Sequence, residues 1–467
     1  MNKSYIGADL IQYTANGEEC QRIYLDSAAS SLPIEQVQQA IQAYLPFYGS
    51  FHSDGHLSAN LSMDAFSWAG EQILHYLGAD PEIYEVVFIG TGATAAINRI
   101  AEGMAAIRDN KDIVVISMME HHSNDLPHRQ HSPQVLHVPT SAESNWIIDL
   151  NELSTILKTH GDRIHYIAVT AASNVTGLLN PIPQITRLAH QFGVKVLVDG
   201  AQIYAHAPFS MRLEDTDGID FFVFSGHKAH APGSPGVIVA KKELLSKMPP
   251  QLYGGGMVDE VSKFDFSISS NNLKKEHAGT QNVTGALSLG LTTRFLVSEG
   301  LVTIAHHEQT LKQHFINGAR KNKLLRLYAC QAEPSLSLGI VSFNLEGIPF
   351  HLLGNILNDY FCIAVRTGCF CAHPYVRELL FDDFIALPDS VDPKDHTGMV
   401  RLSIGPHNTI EEIDRLLMAL LQIGSNIDTF YQNYVRSAEG TFHHKGFKNH
   451  NINFKQFIQK QTPQLSW

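Results

Sequence analysis

Between residues 85 and 240 the chain alternates short apolar runs with longer stretches in which apolar and polar positions are mixed. The runs fall at 85–89, 112–117, 134–138, 164–170, 194–199, 221–224 and 236–240. Several are almost continuously apolar, as in Phe221-Phe-Val-Phe224, which predicts strands covered on both faces. Helix-length segments lie between some of them, at 93–108, 150–158 and 183–191. This alternation predicts an α/β fold, with a mostly parallel sheet flanked by helices on both sides.

The texture changes after residue 285. Two helical stretches, 285–299 and 302–322, precede strand-like pieces at 336–343, 363–366 and 399–404 and a helix at 410–423. These read as a smaller α+β domain. The expected division is a large domain over 24–285 and a small one over 286–424. Residues 1–23 are expected to pack on the small domain. The polar stretch 425–467 is either a docked extension or a loose tail.

Composition narrows the class. Of 467 residues, 44% are hydrophobic and 17% charged, enough for a sizeable core. The net charge of −12 argues against sequence-independent nucleic-acid binding, which needs cations to displace counterions from phosphate. No stretch approaches the about 18 consecutive apolar residues of a membrane span, and residues 1–17 lack a signal-peptide core. The five cysteines, Cys20, Cys330, Cys362, Cys369 and Cys371, are too few and odd in number for a disulfide scaffold; a reducing cytoplasm is expected. The histidines are scattered. Cys369-x-Cys371 offers two thiolates and no partner pair, so no metal site is expected.

The candidate chemistry sits at strand ends, where ligands bind in open α/β sheets. Asp199 ends the run Val196-Leu-Val; it could cap a helix, hold a ribose or metal, or pair with a protonated ring nitrogen. About one βαβ unit later, Phe221-Phe-Val-Phe-Ser225 runs into Gly226-His227-Lys228. A lysine enclosed there loses solvation, which lowers its pKa toward that of a Schiff-base amine. Lys228 with Asp199 supplies what pyridoxal 5′-phosphate (PLP) requires: an amine for the imine and a carboxylate for the pyridine nitrogen. Gly90-Thr-Gly92-Ala-Thr94 leads from a strand into a helix and can cradle a phosphate. Gly90, Gly92 and Ala95 also fit a dinucleotide fingerprint, but that reading leaves Lys228 unexplained.

With these residues in view, the chain resembles the class V aminotransferase superfamily of PLP enzymes, fold type I, and within it the group II cysteine desulfurases and selenocysteine lyases. The resemblance runs from about Tyr24 to Pro406. It rests on Tyr24-Leu-Asp-Ser-Ala-Ala-Ser30, Glu120-His121-His-Ser-Asn124, Ser173-Asn174-Val-Thr-Gly177, Val198-Asp199-Gly-Ala-Gln202, Phe224-Ser225-Gly-His227-Lys228, Ala278-Gly-Thr280-Gln-Asn282, Val365-Arg366-Thr-Gly368 and Arg401-Leu-Ser403. The resemblance implies that Lys228 forms the Schiff base, Asp199 pairs with the ring nitrogen and His121 stacks on the ring. It implies that Asn174 and Gln202 hydrogen-bond the cofactor. Gly92, Ala93, Thr94, Ser225 and His227 would hold the phosphate, joined by Thr280 of a neighbouring subunit in a homodimer. Arg401 would hold the substrate carboxylate, with Arg366 and His56 lining the pocket.

The run Arg366-Thr-Gly368-Cys369-Phe-Cys371-Ala-His-Pro374 points to the reaction. Cys371 stands where the group II desulfurases carry their nucleophile. Cys369 stands where the family often has a histidine, and the run also resembles the desulfurase domain of molybdenum-cofactor sulfurases. The implied activity is conversion of L-cysteine to L-alanine, with a persulfide on Cys371 that passes to an acceptor protein. Cys369 could relay that sulfur or bridge to Cys371. The segment 375–400 is longer than in the relatives and could cover the site or bind an acceptor. Two rivals stay open: another PLP reaction on the same fold (a lyase, an epimerase or an aminotransferase), and a non-catalytic binding subunit.

Overall fold

The apolar runs of the large domain pair into one sheet, the arrangement that hides both of their faces. In the computed structural model the described residues are 4–53, 55–213, 218–330, 337–385, 396–438, 440–448 and 454–464. The sheet contains β1 (Tyr84–Ile89), β2 (Ile113–Ser117), β3 (Gln134–Val138), β4 (Ile164–Thr170), β5 (Lys195–Asp199), β6 (Phe221–Ser225) and β7 (Gly236–Lys241), in the order β1-β7-β6-β5-β4-β2-β3. Pairing is parallel from β6 through β3. β7 is antiparallel to both of its neighbours, β1 and β6.

Alternate side chains of each strand serve opposite faces. Phe222 and Phe224 point to the face covered by α1 (Leu57–Tyr76), where Phe66, Ala69 and Ile73 are buried. Phe221 and Val223 point to the other, against Ala96, Ile97, Ile100 and Met104 of α2 (Gly92–Ala106). Helix α3 (Val283–Glu299) runs beside α1, and α4 (Leu301–Ala319) leads into the small domain. Among the described residues no single helix is long and apolar enough to cross a membrane. The bent pair α3 and α4 meets the length test jointly, but Ala286, Leu289, Leu296, Leu311 and Phe315 of that pair are core residues.

The small domain carries β8 (Leu325–Tyr328), β9 (Ile340–Leu345), β10 (Arg366–Gly368) and β11 (Met399–Ser403), antiparallel in the order β8-β9-β11-β10. Helices α5 (Phe350–Phe361) and α6 (Ile410–Ser425) cover it, and α6 starts at a capping box formed by Thr409 and Glu412. Its core joins Phe315, Phe343, Leu353, Leu402 and Leu416 to Ile23 and Leu25.

Three expectations change. The strand expected at 363–366 is two pieces. Ile363–Ala364 pairs in parallel with Ile23–Tyr24, and Arg366 opens β10 against β11. The strand expected at 336–343 begins at Ile340; Leu336 lies outside the described residues. Helices α1 and α5 were not expected, nor was β8. At the N-terminus, Ala15 donates its N–H to the Asp359 carbonyl at 2.6 Å, while Tyr5 packs on Ile34 of the large domain. After α6 a hairpin, Tyr434–Arg436 with Phe442–His444, docks on α5: Asn355 donates to the Phe442 carbonyl at 2.7 Å and Tyr434 to Asp359 at 2.9 Å. Within the segment 375–400, His373–Leu379 and Phe381–Ile385 are helical, and 386–395 lie outside the described residues.

Candidate active site

Strands β5 and β6 lie side by side and deliver Asp199 and Ser225 to the same edge of the sheet. Beyond that edge is a cavity of about 410 Å³. Its walls include Gly92, Ala93, Thr94, His121, Asn174, Asp199, Gln202, Ser225, His227, Lys228, Arg366 and Arg401, most of the residues singled out from the sequence. Cys371, His56 and Thr280 do not line it.

One end of the cavity is built for an anion. Helix α2 begins at Gly92, with φ +62°, and its N-cap residue Thr91 makes no side-chain cap. Its N-terminus therefore faces the cavity with N–H groups and a partial positive charge. The Ala93 N–H donates to Ser225 Oγ at 2.7 Å, and the Thr94 and Ser123 hydroxyls lie 2.7 Å apart. Space is tight behind the turn: a Cβ at Gly236 would stand 2.1 Å from the Gly92 carbonyl oxygen. His227 lies beside it, held in place by Ser31, whose N–H donates to the His227 carbonyl and whose hydroxyl donates to the Lys228 carbonyl.

The middle of the cavity holds the titratable groups. Burial pulls the Lys228 amine down to about 8, with Asp199 acting in opposition. Asp199 is pushed up by burial and held back by the Ala201 N–H at 2.9 Å and by Lys228. Burial lowers His121 to about 3, so its ring is neutral at ordinary pH. Behind them lies Glu120, buried, accepting from Ser117, Asn124 and the Thr170 N–H; burial still raises it to about 8.

Arg401 closes the far end. It is 1% exposed, and burial lowers it to about 10. Nη1 donates to the Asn174 carbonyl at 2.9 Å and Nη2 to Asp26 at 3.1 Å, but Nε has no partner. A buried guanidinium with an unpaired N–H is shaped for a carboxylate. Arg366 is exposed and stands at the rim.

Cys371 sits just outside the wall, half-buried, close enough to Lys228 to act on its charge. Phe370 and Cys371 both have left-handed backbone, φ +52° and +56°, after Gly368 at +113°. Non-glycine residues cost about 1–3 kcal/mol each in such regions and persist only when their surroundings hold them. Here Asn174 donates to the Phe370 carbonyl and the His122 N–H to the Cys371 carbonyl, both at 2.7 Å. The Arg401 guanidinium lies 4.9 Å from the Phe370 ring centre, and His373 stacks on His122 at 4.8 Å. Cys369 is turned toward the Thr397 carbonyl at 3.0 Å, and burial raises its thiol.

His56 caps α1, its Nδ1 accepting from the Ala59 N–H. Thr280 is exposed and lines a separate hollow with Gly90, Arg99 and Gln281. Sequence reasoning gave no role to Asp26, Glu120, Ser123 or Phe370. The first three stand inside the runs 24–30 and 120–124 that carry the resemblance, but their contacts arise only when distant elements meet.

An amine with a lowered pKa, a buried carboxylate, a neutral ring and a helix N-terminus around one cavity are the donor set for PLP. The residues fit that cofactor, and fold and site together define a PLP enzyme of fold type I. The model of the family described as aminotransferase class-V matches residues 23–416. A cysteine desulfurase of Escherichia coli O157:H7 is 33% identical over 408 residues, 86% of this chain and 93% of that protein; one of Shigella sonnei is 34% identical over the same shares. Among solved structures, the apo cysteine desulfurase of Thermococcus onnurineus superposes with a TM-score of 0.76 at 25% identity, covering 86% of this chain and 95% of that one. The Escherichia coli cysteine desulfurase CsdA gives 0.73 at 29%, covering 88% and 95%. The chain belongs to the aminotransferase class-V family, whose members named here are cysteine desulfurases, and its cofactor is PLP.

Proposed function

We propose that the protein is a cysteine desulfurase that converts L-cysteine to L-alanine and leaves the sulfur as a persulfide on Cys371. The observation that carries this reading is the strained Cys371 turn, braced by Asn174, His122 and Arg401 at the mouth of the Lys228 cavity. A loop kept in that conformation beside an amino-acid site has a use for the thiol.

Lys228 would hold PLP through its amine and Asp199 would pair with the ring nitrogen. His121 would lie on the ring face, and Asn174 and Gln202 would hydrogen-bond it. Gly92, Ala93, Thr94, Ser225 and His227 would take the phosphate. When bound, PLP supplies an electron sink for the Cα–H bond of an amino acid. Arg401 orients the substrate carboxylate through Nε, and Arg366 lines the entrance. Once free, Lys228 Nζ removes the Cα proton. The Cys371 thiolate attacks the substrate sulfur: an S–S bond forms as the Cβ–S bond breaks. The electron pair of that bond stays with the carbon, which takes up a proton to give alanine. Neutral His121 is placed to relay a proton.

The persulfide would pass to a sulfur-acceptor protein, since Cys371 lies at the cavity mouth rather than inside. We place Thr280 and His56 at the site of a second copy, in a homodimer. The exposed Phe264, Phe266, Val261 and Tyr253 offer apolar surface for such a contact. The five thiols suit a cytoplasmic setting.

The test is Cys371→Ser, assayed for alanine and for protein-bound persulfide with L-cysteine. Loss of both, with the visible cofactor absorbance intact, is expected. Unchanged alanine release would remove Cys371 from the reaction, and a keto acid with ammonia in place of alanine would make the protein a β-lyase.

A further inference from the structure

Two cysteines outside the desulfurase chemistry meet where the N-terminal segment crosses the small domain. Cys20 lies in the strand Glu19–Gln21, and Cys362 caps α5 in the left-handed conformation, φ +54°. The Cys20 sulfur is 3.7 Å from the carbonyl oxygen of Phe361, the residue bonded directly to Cys362. The backbone fixes this meeting: the Ile23 N–H donates to the Cys362 carbonyl at 2.9 Å, and Ile23 pairs with Ile363 in parallel register. Arg415 of α6 donates Nη2 to the Cys20 sulfur at 3.0 Å.

The two thiols differ in access. Cys20 is half-buried with a guanidinium on its sulfur, whereas Cys362 is 1% exposed beneath it. A solitary buried cysteine behaves as an inert small hydrophobe. Two neighbouring thiols, one reachable from solvent beside a cation, form a pair suited to thiol–disulfide exchange.

We propose that Cys20 and Cys362 are a redox modification site that closes to a reversible disulfide, fastening the N-terminal segment to the small domain. The oxidant is a small-molecule disulfide. The Cys20 thiolate attacks one of its sulfurs and expels one thiol, leaving a mixed disulfide. Cys362, deprotonated, then attacks the Cys20 sulfur and expels the second thiol. Two protein thiols are oxidised, and their two electrons and two protons end on the two released thiols. Burial and the neighbouring Cys20 raise the Cys362 thiol to about 12, so the second step is the slow one.

The link would bear on the active site. Downstream of Cys20 the chain reaches Asp26, which accepts from Arg401; downstream of Cys362 it reaches Arg366 at the cavity rim. The parallel pair Ile23–Tyr24 and Ile363–Ala364 carries both, so a bridge just before that pair fixes one wall of the cavity against the other.

The test uses the full-length PLP-bound protein carrying Cys369→Ser and Cys371→Ser, which removes the competing thiols of the cavity mouth. It is equilibrated with oxidised glutathione or with dithiothreitol, and its peptides are mapped by mass spectrometry without reduction. The expected result is a Cys20–Cys362 cross-link in most of the oxidised protein, reversed by dithiothreitol, with a thermal midpoint several degrees higher than that of the reduced form. Adding Cys20→Ser, a change at a half-buried position, abolishes both the link and the redox dependence of the midpoint. A stable Cys20–glutathione adduct that never resolves, or no modification of Cys20 at all, overturns the proposal. These readouts do not involve turnover, so they stand apart from the desulfurase assignment.

Discussion

Arg401 donates Nη2 to Asp26 at 3.1 Å, while its Nε, buried beside the same cavity, has no partner. Asp26 comes from the N-terminal part of the chain and Arg401 from β11, so the end of the cavity proposed to take the substrate carboxylate exists only where the small domain meets residues 24–31.

That geometry makes Arg401→Lys a severe change. Lysine has no planar fork and cannot keep the Asn174 and Asp26 contacts while also offering an N–H to the substrate. Hydrogen bonds to charged groups contribute about 1.5–3 kcal/mol, so kcat/KM for L-cysteine should fall by roughly 10- to 100-fold. Steady-state kinetics check this, and the cofactor absorbance should stay as in the parent.

Cofactor uptake should follow the titration of Lys228. Only the neutral amine can attack the cofactor aldehyde, and burial lowers Lys228 from 10.5 to about 8. The rate of PLP capture by the apoprotein should therefore rise with pH and level off above about 8. Stopped-flow absorbance measures it. A rate still climbing steeply at pH 10 would show an ordinary lysine.

Glu120 should leave a signature in stability. Its folded value of about 8 exceeds the ordinary 4.5, so between those values the native state binds more protons than the unfolded state. Its contribution is full below pH 4.5 and is lost as pH rises through 8. Glu120→Gln removes that loss. The variant should be less stable overall, because its amide meets the Asn124 amide donor, yet its thermal midpoint should vary less from pH 4.5 to 8 than that of the parent.

Gly236→Ala tests the close packing behind the anion cradle. The new Cβ would lie 2.1 Å from a backbone oxygen of Gly92, which no side-chain rotation can relieve. A loss above about 3 kcal/mol is expected, as for other overpacked sites, together with weaker PLP retention. Urea unfolding of the apoprotein and a cofactor release assay would measure the two effects.

The large sheet was legible because most of its strands are buried on both faces: the run at 164–170 coincides with β4 to the residue, and the half-buried edge strand β3 still falls at 134–138. Helix α1 was missed; its buried positions are mainly small, Ala59, Ser62, Ala69 and Gly70, and small residues carry little helical periodicity. The break in 363–366 was hidden because both pieces are extended and differ only in their partners.

The sequence by itself determined the strand positions of the large sheet, the candidate lysine and aspartate, and the family, since these rest on local burial patterns and on residue types in order. Only the tertiary structure decided that β7 runs antiparallel, that Asn174 and His122 hold the Cys371 turn, that Asp26 meets Arg401, and that Cys20 comes to lie beside Phe361 and Cys362. Strand direction and contacts between distant segments depend on how the chain returns on itself, and hydrophobic periodicity records only which positions are hidden from water.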